Sequence, residues 1–160
     1  MVVVVRSKAV STLREFIKDL LVNNLTDTQD PPREPSEWVF VGEEREDRVV
    51  GNMPRVYIVS AAISDRPLNQ AQRGPCVFET TIKVLASGIS AKEDRDNLLD
   101  QIREVLLSET LDDGTHTLRH KNLQIDYNSP TPRTEISDYE SDGIIWRAGE
   151  INVRYNYFGL

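Results

Sequence analysis

Cysteine is almost missing from this chain: Cys76 is the only one in 160 residues. A single thiol cannot close an intrachain disulfide or supply a cysteine-rich zinc site, so a secreted disulfide scaffold and a zinc ribbon are excluded. Lysine is scarce as well, 5 residues beside 14 arginines. No stretch approaches the roughly 20 apolar residues that a membrane-spanning helix needs. No glycine-rich segment has the spacing that cradles a phosphate, and no internal repeat suggests a solenoid. The opening Met1-Val2-Val3-Val4-Val5 is apolar, but Arg6 and Lys8 follow it at once. A signal peptide carries its positive charge ahead of a longer apolar core. The expectation is an intracellular product, or a particle component assembled inside a cell, with no membrane partner.

What is present bounds the answer further. The chain is 39% hydrophobic and 28% charged, the balance of a globular protein rather than a disordered one. Its length suits one domain that buries about two thirds of its unfolded surface. It carries 26 acidic side chains against 19 basic ones, a formal charge of −7. That excess works against non-specific binding to duplex DNA, which relies on Lys and Arg neutralising phosphates, although it leaves room for a local arginine patch. The acidic, lysine-poor balance also suits a high-salt environment, where added carboxylates favour solubility.

Apolar spacing lays out the elements. Val10, Leu13, Ile17, Leu20 and Leu21 form one stripe of an amphipathic helix over 7–23, with Ser7 or Ser11 as caps and Asn23-Asn24 as the stop. Pro31, Pro32 and Pro35 predict an extended linker from 25 to 37. A short strand over 38–41 leads into a charged turn. Over 55–62, Val56, Ile58 and Ser60 are expected on one face and Tyr57 and Val59 on the other. The strand over 76–87 alternates most clearly, with Cys76, Phe78, Thr80, Ile82, Val84 and Ala86 on one face.

A second helix starts at Ser90 or Asp94 and runs to about Glu109, burying Leu98, Leu99, Ile102, Val105 and Leu106. Its acidic residues gather near the N-terminus, where the helix dipole favours them. A strand over 121–127 follows, then a polar loop over 128–142. The last strand, 143–158, places Ile145, Ile151, Val153, Tyr155 and Tyr157 on one face. The order α-β-β-β-α-β-β, without helical crossovers, predicts a single α+β domain over 1–160. The expected sheet is antiparallel-rich or mixed, with two helices on one face and long loops at 25–54 and 128–142. Loops of that length in a compact domain are usually functional or disordered.

Candidate chemistry is sparse. His116 and His120 have the i, i+4 spacing of a shared metal but lack a third ligand, so ordinary surface histidines are expected. Asp94, Asp96 and Asp100 lack the glycine and terminal glutamate of a calcium loop and read as a solvated helix start. Glu79 and Lys83 alternate as the exposed face of a strand, and Cys76 has no neighbouring histidine to activate it. A metal-dependent hydrolase built on Asp126, Glu135 or Glu150 is the remaining enzyme reading. No catalytic, cofactor or metal constellation stands out. Trp38 and Trp146 flank the long loops, with core packing as the default role and anchoring of a subunit interface as the alternative. With Arg45, Arg48, Arg55 and Arg73 they are the candidate interface residues, since arginine forks suit interfaces built on carboxylate pairs.

The element order also carries a resemblance. The opening helix and acidic, proline-rich excursion are followed by Pro54-Arg55-Val56-Tyr57-Ile58-Val59 and then Glu79-Thr80-Thr81-Ile82-Lys83-Val84-Leu85-Ala86. The second helix begins Asp94-Arg95-Asp96-Asn97-Leu98-Leu99 and continues Ile102-Arg103-Glu104-Val105-Leu106. The chain closes with Gly149-Glu150-Ile151-Asn152-Val153-Arg154-Tyr155-Asn156-Tyr157-Phe158. This resembles the tail-terminator and tail-completion proteins of long-tailed phages and related archaeal viruses. The 25–54 excursion departs from that pattern.

The resemblance implies a virion protein of the tail or neck and not an enzyme. It implies a homo-oligomeric ring, usually a hexamer, that caps the tail tube, docks head-completion or neck proteins, and lets DNA pass through its lumen without specific binding. A stand-alone binding module or assembly chaperone is the rival expectation. Under the ring reading the carboxylates face the lumen and the arginines lie mainly between subunits.

Overall fold

The computed structural model describes residues 6–42, 52–65, 76–127 and 132–159. Helix α1 spans Arg6–Asn24 and helix α2 spans Ala91–Leu106. The strands are β1 Val39–Val41, β2 Arg55–Ser64, β3 Cys76–Ala86, β4 Leu123–Ile125, β5 Arg133–Ile136, β6 Tyr139–Ser141 and β7 Ile144–Tyr157. The domain is α+β with a mixed sheet: β1 runs parallel to β2, and every other pairing is antiparallel. Strand β7 is its spine. Strand β3 lines one side from Cys76↔Tyr157 to Ala86↔Arg147, while β6, β5 and β4 pair in turn with the other side.

Both helices lie on one face. Leu13, Ile17, Leu20 and Leu21 of α1 and Leu98, Ile102 and Leu106 of α2 pack against Val56, Ile58, Phe78, Ile82, Ile151, Val153 and Tyr155 in one core. Period-2 alternation in the strands and the 3.6-residue stripe in the helices therefore meet. Asn24 stops α1 by donating from Nδ2 to the Leu20 carbonyl at 2.8 Å and the Asp112 carbonyl at 2.7 Å. The helix begins at Arg6, so the serines at 7 and 11 lie inside it rather than at its cap. Helix α2 comes close enough to β7 that a Cβ on Gly149 would sit 2.6 Å from Leu99 Cδ1. The hydroxyl of fully buried Tyr155 donates to the Leu106 carbonyl at 2.6 Å, fixing the other end of α2, and burial pushes the phenol well above its usual pKa.

Three expectations need correction. The pairing register shifts between Ile58 and Ser60. This bulge reverses the alternation, so Ala61 and Ile63 join the helix-side core and Ser60 turns outward. Thr80, completely buried, donates its hydroxyl to the Ser60 carbonyl at 3.0 Å. That bond supplies a partner where the bulge interrupts the ladder.

The 25–37 segment is not a free linker. The Asp27 carboxylate accepts from the Arg33 backbone N–H at 2.8 Å, Nε at 2.9 Å and Nη2 at 2.8 Å. The guanidinium also lies 5.4 Å from the Trp38 ring centroid and bonds the Pro54 carbonyl at 2.9 Å. Burial alone would raise the Asp27 pKa, but the hydrogen bonds from Arg33 and Gln29 outweigh it and hold the carboxyl below its usual range.

The 128–142 segment is not a loop throughout. It contains β5 and β6, and β6 turns into β7 through Asp142 and Gly143 at φ of 53° and 76°. Two positive φ values in a two-residue connection are those of a type I′ hairpin, for which Asp-Gly is a favoured pair.

Candidate functional site

The outer sheet face, away from the helices, is divided. One half is apolar: Tyr57, Leu85, Trp146 and Ala148 are buried together, Phe40 stacks on Tyr57 at 5.5 Å, and Tyr139 on Trp146 at 6.5 Å. The other half is polar and charge-balanced. Glu79 lies opposite Arg154, Lys83 opposite Glu150, and Glu135 pairs with Arg133 at 2.5 Å. Asn152 ties this face together, donating to Glu79 at 2.9 Å and Thr81 at 2.8 Å. Glu79, Thr81, Arg133, Glu135, Glu150 and Asn152 line a shallow depression of about 260 Å³. Glu79 and Lys83 thus occupy the exposed strand face expected of them.

The structure separates the candidate interface residues. Trp38 and Trp146, 2% and 3% exposed, are core side chains within the chain and offer no anchor to a neighbour. Their indole N–H groups have no acceptor among the described residues, so packing accounts for their place. Arg55 is buried as well, with Nε donating to the Asn52 carbonyl at 2.9 Å and Nη1 to the Tyr57 hydroxyl at 3.3 Å. Arg45, Arg48 and Arg73 lie outside the described residues. The expectation that arginines sit mainly between subunits therefore does not hold for Arg33, Arg55 and Arg95, which bond inside this chain.

Candidate chemistry stays apart. His116 and His120 stand with ring centroids 5.9 Å apart, but His120 Nδ1 already accepts the Thr117 N–H at 3.0 Å. Glu135 and Glu150 are cross-strand partners, whereas Asp126 follows β4 and is buried near the far end of β7. No group of three or more metal-ligating side chains occurs among the described residues. Cys76 is half-buried, its Sγ 3.8 Å from the Asp65 carboxylate. Among the described residues no helix is long and apolar enough to cross a membrane.

The informative surfaces lie at the edge of the sheet formed by β4, β5 and β6. All four β5 residues are exposed. At the β4 end, Leu118, Leu123, Ile125 and Phe158 line a groove of about 700 Å³, rimmed by Glu109 and Arg119. At the β6 end, Ile136 and Ile145 are 58% and 57% exposed. Between them Asp138 bridges Arg147 at 2.8 Å and Arg95 of α2, a buried guanidinium that also pairs with Asp96 at 3.0 Å. Partial burial would raise the Asp138 pKa, but the Arg147 hydrogen bond and the Arg95 charge hold it low. Excess acid gathers instead on α2, whose Glu93, Asp94, Asp96, Asp100 and Glu104 outnumber its exposed Lys92 and Arg103.

The sequence expectation missed β5 and β6 because neither has an apolar face, whereas β4 falls within the strand expected over 121–127 and buries Leu123 and Ile125. The Asp142-Gly143 pair was the signal that could have revealed the hairpin. No protein-family model matches the chain, and no curated protein matches it.

Proposed function

We propose that the chain is a tail-terminator protein of a long-tailed virus: a non-enzymatic virion component of the tail or neck. Its copies form a ring, usually a hexamer in such proteins, that caps the tail tube and offers a docking face to a head-completion or neck protein. The observation that carries the reading is the exposed sheet edge of β4, β5 and β6, with Phe158 exposed at one end and Ile136 and Ile145 at the other, on a domain whose element order resembles that family. Unlike surfaces that fit each other generate a head-to-tail contact, and such contacts close into rings or run on as filaments.

The mechanism is geometric. A closed ring uses up the lateral contacts of its subunits, and a ring seated on the tube occupies the site where the next tube subunit would add. The α2 face suits the lumen, since a negative wall repels the DNA backbone and lets it slide. The test is to add the purified chain to its virus's tail-tube protein during polymerisation and follow tube growth by light scattering. Arrest of growth at far less than one chain per tube subunit supports the reading. Unchanged growth at excess protein, with no chain on the tubes, favours a stand-alone binding module and overturns it.

A further inference from the structure

Strand β7 has neighbours held to it in different ways. On one side β3 buries Phe78, Ile82, Val84 and Leu85 in the two apolar clusters of the domain. On the other side the run over 133–141, made of β5 and β6, has no buried residue, and only Tyr139 and Ser141 of it are half-buried. Its backbone ladder to β7 extends from Arg133↔Asn152 to Ser141↔Ile144.

Two side chains add to that ladder. Tyr139 stacks on Trp146 at 6.5 Å. Asp138 ties the run to a helix: its carboxylate accepts from Nη1 of Arg147 at 2.8 Å and from Nη1 of Arg95 in α2. The Arg95 side chain is only 3% exposed, and its other carboxylate partner, Asp96, is 49% exposed. Taking a carboxylate away from a buried guanidinium leaves its charge poorly compensated, so this contact weighs more than an exposed ion pair would. The ends of the run leave it room to move. One end is the two-residue Asp142-Gly143 turn. At the other, seven residues (126–132) join Ile125 to Arg133, whose partners Tyr155 and Asn152 stand three positions apart on β7.

We infer that residues 133–141 form a strap that lifts from β7 as a unit while the rest of the domain stays folded, with Asp142-Gly143 as its hinge and Asp138 as its latch. Segments that bury little apolar surface open at a lower free energy than the core. Lifting breaks the strap's ladder, the latch and the Tyr139 stack, but it leaves β3 paired with β7 and both helices on the main core. It bares the β7 edge over 144–152 and the face of Trp146 that Tyr139 covers. The latch therefore sets how often this edge meets solvent. The device holds whether or not the chain caps a tube.

Native-state hydrogen exchange read by mass spectrometry tests it with two variants: Asp138→Asn at the latch, and Tyr155→Phe, whose lost bond to the Leu106 carbonyl lies in the main core. In the unmodified chain the ladder amides of 133–141 should exchange faster than those of β3, at a rate that low urea leaves unchanged. Asp138→Asn weakens the closed form and should speed their exchange about tenfold. Tyr155→Phe weakens a bond that stays made when the strap lifts, so it should speed exchange in β3 and leave 133–141 as it was. Ladder amides of 133–141 that exchange no faster than β3, that speed up in step with β3 in Tyr155→Phe, or that ignore Asp138→Asn overturn the inference. An Asp138→Asn chain that does not fold overturns it as well, because the latch would then hold the whole domain.

Discussion

Replacing Gly149 with alanine puts two opposed effects on one atom. Its Cβ would lie 2.6 Å from Leu99 Cδ1, against an optimal carbon–carbon separation of about 3.5–4.0 Å. The shortfall of about 1 Å must be absorbed by Leu99, which is 4% exposed and packed in the main core. Overpacking of this kind costs roughly 1–3 kcal/mol. Losing a glycine from a strand interior works the other way, by about 0.5–1 kcal/mol. The steric effect wins, and Gly149→Ala should destabilise the chain by about 1–2 kcal/mol.

Leu99→Ala alone should cost roughly 2–5 kcal/mol, the range for a buried leucine truncated to alanine. In that background the clash is gone, and the remaining near neighbour, the Glu135 carbonyl at 3.5 Å, is in ordinary contact. There Gly149→Ala should be neutral or stabilising by up to about 1 kcal/mol, giving a coupling of about 1–3 kcal/mol between the sites. Urea unfolding of the four proteins followed by far-ultraviolet circular dichroism measures each step. Equal cost of Gly149→Ala in both backgrounds would show that this contact does not set how closely α2 approaches β7.

Tyr155→Phe removes the donor to the Leu106 carbonyl in a fully buried setting and should cost about 1–3 kcal/mol, read by the same urea titration. Gly143→Ala forces a side chain into φ of 76°, so it should destabilise the β6–β7 hairpin by about 1–2 kcal/mol and speed amide exchange over 139–146. Acid should weaken the fold through Asp27 and Asp138, whose folded pKa values lie below their ordinary 3.8. For depressed carboxyls the stabilisation is complete above that value and is lost as pH falls through the folded one. Thermal midpoints from about pH 5 down to about pH 2 should therefore drop, and less steeply in Asp27→Asn.

How much of this was legible in the sequence follows from where hydrophobic contrast exists. Strands β3 and β7 and both helices bury one face and expose the other, so Phe78, Ile82, Ile151 and Val153, like Leu98 and Ile102, announce their positions. The bulge in β2 has no such signature, because Ser60 and Ala61 are both small and either could face the core. Strands β5 and β6 are held by backbone pairing to β7, and the Arg133-Thr134-Glu135-Ile136 run carries no periodic pattern. Composition flagged tryptophan and arginine as interface material, yet Trp38 and Arg33 serve each other inside the chain, an arrangement that depends on the path of residues 27–38. The groove was hidden for a similar reason: Leu118, Leu123 and Phe158 meet only after β4 has paired with the end of β7.

Electron microscopy of tail tubes grown with this chain shows where it binds. A tail terminator should give a ring-shaped density on one end of each tube, with rotational symmetry in end-on averages and one subunit of this chain per lobe. Bare tube ends, or the chain scattered along the tube wall, would contradict that reading.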